Sequence, residues 1–141
     1  MAGSFSNYTE AGVLNYIFRG TAFTIPDPCY VALYTAAPSD TGGGTEVTNA
    51  NGYTRKSIDM TSGVFGAATP GDPTTISNAS VIDFAAASGG NWGTVVAFGI
   101  LDSSTYGSGN LIVWADLTVS KAINDGDTAS FGVGQMVISL S

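Results

Sequence analysis

The sequence contains no histidine and a single cysteine, Cys29. The missing histidine excludes Ser-His-Asp triads, Cys-His dyads and histidine-based metal sites. One cysteine excludes an internal disulfide, so the fold has no covalent framework. Cys29 lies in the apolar run Cys29-Tyr30-Val31-Ala32-Leu33-Tyr34, where a small buried side chain fits and no base is at hand to activate it. Positive charge is equally scarce. Arg19, Arg55, Lys56 and Lys121 are the only cations, against 11 acidic residues, for a net charge of −7. Phosphate backbones and anionic surfaces are held by clustered Lys and Arg, so neither nucleic acid nor membrane is expected as a partner. No apolar run approaches the roughly 18 residues of a membrane-spanning helix. The first ten residues lack the basic start and apolar stretch of a secretory signal. No repeat and no shift of composition divides the chain, which predicts a single domain over 1–141.

What is present is uncharged polarity and β-forming residues. Only 11% of residues are charged, against about 25% in an ordinary soluble domain, and the mean hydropathy is +0.23. A surface with so few charges favours contact with other protein. Segments rich in Val, Ile, Thr and aromatics predict strands over 30–35, 52–59, 80–84, 95–102, 110–117, 128–131 and 135–140. Gly, Pro, Asn and Asp clusters separate them, and Tyr106-Gly107-Ser108-Gly109-Asn110 predicts a hairpin joining 95–101 to 111–115. Asn51-Gly52 offers a second hairpin signal. One helix is predicted near 8–19, capped by Asn7 with Glu10 as its capping-box partner and stopped at Gly20. Val13, Leu14, Ile17 and Phe18 give it an apolar face, expected to lie on the sheet as a lid, with docking to a neighbouring subunit as the alternative. The predicted fold is therefore mainly β, an antiparallel sandwich or barrel of about seven strands with one N-terminal helix.

Catalytic chemistry finds little support in these residues. Gly42-Gly43-Gly44 is followed by no Gly-Lys-Ser/Thr, so it is no phosphate loop. Asp125-Gly126-Asp127 lacks the spacing of a calcium loop and reads as a turn. Two glutamates are present: Glu10 beside the helix cap and Glu46 in a polar loop. Asp83 and Asp116 flank apolar strands and are the remaining candidates for paired-carboxylate work, but they are expected to face solvent or bind a turn amide. No enzyme, metal or cofactor is expected. Trp114, within an apolar strand, reads as core, while Trp92, after Gly89-Gly90-Asn91, is expected to be open to a partner.

Several blocks taken in order carry a resemblance. They are Tyr30-Val31-Ala32-Leu33-Tyr34-Thr35-Ala36-Ala37-Pro38-Ser39-Asp40, Glu46-Val47, Gly52-Tyr53-Thr54-Arg55 and Trp92-Gly93-Thr94-Val95 through Phe98-Gly99-Ile100-Leu101-Asp102. Gly109-Asn110-Leu111 through Trp114-Ala115-Asp116-Leu117, then Gly126-Asp127 and Phe131, close the series. The ordering resembles small structural proteins of tailed phages, described either as capsid cement (decoration) proteins or as tail fibre proteins. The resemblance implies a β-rich virion subunit without catalysis. Small size, acidity and low charge density favour a decoration protein on the outer surface of the capsid. Its expected partners are the major capsid protein and copies of itself. The alternative is a tail or baseplate component, a host-surface adhesin among them. Loops 36–51 and 66–75 are the expected contact regions, with Pro38, Ser39, Asp40, Glu46, Arg55 and Trp92 as candidate contact residues.

Overall fold

The centre of the molecule is three adjoining strands whose shared segments are apolar on both faces. The computed structural model describes residues 3–61 and 63–141. In it, β2 (Cys29–Ala36), β7 (Gly93–Leu101) and β8 (Leu111–Ile123) are antiparallel neighbours, with β7 in the middle. Val31 pairs Ile100 and Leu33 pairs Phe98; across β7, Ile100 meets Val113 and Phe98 meets Ala115. Because side chains alternate along a strand, these residues share one face, which forms the main core. Ala32, Tyr34, Ala97, Leu101 and Leu111 point to the other face and form a second, smaller cluster. Burial on both faces explains why β2, β7 and the 111–115 part of β8 read as nearly continuous apolar runs, while β8 beyond Ala115 is largely exposed. The hairpin between β7 and β8 is as its sequence predicts.

Shorter strands complete the sheet: β1 (Ser4–Phe5) pairs β8, while β3 (Thr45–Glu46) and β4 (Lys56–Ile58) both pair β2. This makes six strands in all. β3 and β4 run in the same direction along one edge, so residues 48–55 are an excursion from a single interrupted edge strand. The Asn51-Gly52 turn lies inside that excursion, with φ of 54° and 77°. It therefore does not join two mutually paired strands, as a hairpin signal would lead one to expect.

Two small antiparallel pairs lie over the main core. β5 (Thr74–Ser77) pairs β10 (Val137–Leu140), and β6 (Ile82–Asp83) pairs β9 (Ser130–Phe131). Ile82, Phe84, Phe131, Met136 and Ile138 from this layer are buried against Leu33, Phe98 and Ile100 of the main sheet. Side chains of this kind stabilise by roughly 1.5–3 kcal/mol each when fully buried. Gly3 bridges to Ile138 just before β1, and so stitches the β5–β10 pair to the edge of the main sheet. The described residues thus form ten strands in three sheets, with no closed barrel. The extra strands relative to the seven predicted are two- to four-residue pieces.

The helix α1 (Asn7–Arg19) corrects two expectations. Its cap is Ser6, whose hydroxyl accepts from the Thr9 amide, and Asn7 is the first helical residue. Gly20 ends it in the left-handed conformation, as predicted. The helix is not a lid. Only Thr9 is buried, and its hydroxyl donates to the Ile112 carbonyl. Phe23 turns back onto the helix over Gly12, where an added Cβ would sit 2.3 Å from the ring, and meets Tyr8 edge-on. The remaining apolar face, Leu14, Ile17 and Phe18, is 57%, 62% and 78% exposed.

Candidate functional site

On the second face of the main sheet lies a cleft of about 770 Å³. Tyr34 of β2, Leu101 of β7 and Leu111 of β8 line it, together with the loop 40–46, the hairpin tip 106–110 and the first turn of α1. Local chemistry builds each wall. Tyr34 is packed against Gly99, where an added Cβ would come within 3.1 Å of the Tyr34 ring and 2.8 Å of Leu111. The loop folds back at Gly44, where φ is +77° and an added Cβ would sit 2.7 Å from the Ala36 carbonyl oxygen, so no side chain fits. Asp40 anchors the loop: its carbonyl accepts from the Asn7 amide at 2.8 Å and its Oδ1 accepts from the Trp114 indole at 2.9 Å. The hairpin tip is tied by Asp102, which accepts from both the backbone and the side-chain amides of Asn110.

Behind the loop sits a buried ion pair. Arg55 presents its fork to Glu46, with Nε to Oε1 and Nη2 to Oε2 both at 2.8 Å. Both side chains are nearly inaccessible, at 3% and 7%. Nη1 of Arg55 also donates to the Ser103 and Ser108 carbonyls, at 2.6 and 2.9 Å. Glu46 Oε1 further accepts from the Tyr53 hydroxyl, which itself accepts from the Leu33 amide left open where the edge strand is interrupted. One network therefore joins β2, the 48–55 excursion and the β7–β8 hairpin tip. Burial pulls the Arg55 pKa down, but the hydrogen bonds and charge of Glu46 outweigh it and hold the guanidinium above its ordinary value. Burial, with the Glu46 carboxylate next, pushes the Tyr34 phenol up to about 12, so it is a neutral hydroxyl at any physiological pH. Burial also raises Tyr53, against the amide of Leu33.

The structure brings Asp40, Glu46 and Arg55 to this one cleft. Arg55, a candidate contact residue, pairs within its own chain, with Glu46. Ser39 is exposed nearby and closes a turn with Gly42, whereas Pro38 is buried. Trp92 stands apart from the cleft. It is 6% exposed and packed edge-on against Tyr53 and Phe84, with its indole N–H on the Asn51 carbonyl at 2.8 Å. The expectation that it is open to a partner is corrected: the Gly89-Gly90-Asn91 stretch turns the chain inward, not outward. Trp114, expected in the core, is only half-buried. Segment 36–51 is not a free loop either, since it contains β3 and Glu46. Segment 66–75 likewise runs into β5.

The remaining candidates are accounted for singly. Asp83 and Asp116 are exposed on different sheets, and Asp83 accepts from the Ser130 hydroxyl. Cys29 is buried, and burial followed by Asp102 and Asp27 pushes its thiol up to about 11, far from a reactive thiolate. Tyr34 escaped notice in the sequence, because a tyrosine inside an apolar run reads as core.

The described residues of this antiparallel β domain thus present a lined cleft on the second face of the main sheet and an exposed apolar stripe on α1. The family described as podophage GP4 fiber I protein gp80 matches residues 4–139, nearly the whole chain. The chain belongs to that family, and with it to the structural proteins of tailed phages, as the order of sequence blocks implied. None of the curated proteins matches it.

Proposed function

We propose that this chain is a non-enzymatic subunit of a virion fibre, assembled with copies of itself through α1. The family match over 4–139 carries this reading and favours the tail-fibre alternative over capsid decoration. A domain of 141 residues without repeats reaches fibre dimensions only by joining other subunits. Leu14, Ile17 and Phe18 supply an apolar stripe at helical spacing that no described residue covers. The net charge of −7 keeps subunits apart elsewhere on the surface, which directs association to this stripe.

Quantitative mass spectrometry of purified particles tests the location. A few dozen copies, with antibody labelling at the tail, are expected; hundreds of copies in simple ratio to the major capsid protein would restore the decoration reading. The Ile17→Ser/Phe18→Ser variant tests the stripe. Light scattering is expected to show wild-type oligomers and a monomeric variant with unchanged circular dichroism, because both side chains are already in water in the single subunit. Identical molar masses would remove α1 from the argument.

A further inference from the structure

We propose that the cleft beside the Glu46–Arg55 pair binds a neutral saccharide. The observation that points to a ligand is Tyr34. This side chain is 5% exposed, yet its hydroxyl makes no hydrogen bond to any described residue. No side-chain oxygen of the described residues is both sealed from solvent and unpaired, so the Tyr34 hydroxyl is reached from outside. Tyr34 lines the cleft, so the cleft supplies that access. A buried phenol that spends its polarity on no protein group is a donor and acceptor held ready for something else.

The other groups around it narrow the ligand. Asp40 uses Oδ1 for the Trp114 indole and the Ser4 hydroxyl, leaving Oδ2 without a partner among the described residues. Asn110 gives its side-chain amide N–H to Asp102, and its Oδ1 is left free. Tyr106, 41% exposed on the hairpin tip, offers an aromatic face at the rim, and Leu101 and Leu111 make the floor apolar. Free acceptors, a fixed phenol and an aromatic wall suit a ring with hydroxyls on its edges and C–H groups on its faces. Charge decides against acidic sugars. Arg55 is the only cation lining the cleft, and Glu46 already neutralises it. The hairpin tip and loop are held rigid by Arg55 and Asp102, so a ligand would meet a cleft already formed.

This inference does not rest on the fibre reading, since the cleft belongs to the single domain. The test is a glycan array with the purified wild-type protein, followed by calorimetric titration of the best saccharide. Neutral hexoses or N-acetylhexosamines are expected to bind. Tyr106→Ala is expected to weaken binding about tenfold by removing the stacking face, and Tyr34→Phe about fivefold by removing one hydroxyl. Both variants are expected to keep the wild-type melting temperature within a few degrees, which separates loss of ligand from loss of fold. No binding to any neutral saccharide, binding confined to acidic glycans, or affinities unchanged in both variants would each overturn the proposal. Copy number and location in the particle are unaffected by any of these results, so failure here leaves the fibre reading standing.

Discussion

Glu46→Ala is expected to destabilise the domain by about 3–5 kcal/mol, the usual cost of removing one partner from a buried ion pair. The loss has three parts. The Arg55 guanidinium stays charged and buried but loses both arms of its fork. The Tyr53 hydroxyl loses its acceptor, and with it the alignment that serves the Leu33 amide. Arg55 then no longer has a fixed position from which to hold the Ser103 and Ser108 carbonyls, so the hairpin tip loosens. Urea denaturation measures the first effect, and the fall in melting temperature is expected to be roughly 10 °C or more. Glu46→Met combined with Arg55→Met is expected to lose far less than the two single variants summed, by about 2 kcal/mol or more. The charged pair desolvates at a cost that an apolar pair avoids, so its value lies in orientation more than in net stability. If Glu46→Ala melts like the wild type, the pair is solvated in solution and the cleft wall is not fixed by it.

Much of the architecture was legible because burial on both faces writes itself into composition. β2, β7 and β8 announce themselves as runs of Val, Ile, Leu and aromatics, and the Gly- and Ser-rich stretch 106–110 marks the hairpin of β7 and β8. β1, β3 and β5 were not legible. Ladders of two to four residues are too short to show a period, and they form only because a neighbouring strand offers its edge. The helix shows a different limit. Its apolar stripe is written in Leu14, Ile17 and Phe18, but amphipathicity states only that a face seeks cover, not that the cover lies in the same chain. The site was legible by half. Glu46 and Arg55 stood out as scarce charges, but their meeting depends on the excursion 48–55 returning to the same edge of β2, which no local signal encodes. Trp92 misled because a Gly-Gly-Asn loop normally marks the surface, and here it delivers an indole to the core.

That misreading carries the second large effect. Trp92→Ala is expected to cost about 3–5 kcal/mol, the range for emptying a buried aromatic site. The indole contacts Tyr53 edge-on with centroids 5.3 Å apart and Phe84 at 6.4 Å, so its removal opens a cavity beside this stacked pair of rings. Trp92→Phe is expected to cost only about 1–2 kcal/mol. It keeps most of the packing, and the Asn51 carbonyl that loses the indole still accepts from the Ser88 amide at 3.0 Å. Trp114 remains in both variants as a fluorescence probe of unfolding. Tyr53 touches Trp92 with its ring and Glu46 with its hydroxyl, so the effects of Trp92→Ala and Glu46→Ala are expected not to add. A double variant less destabilised than the sum would show that ring cluster and ion pair form one cooperative unit behind the cleft. Strict additivity would mean that each holds the 48–55 excursion by itself.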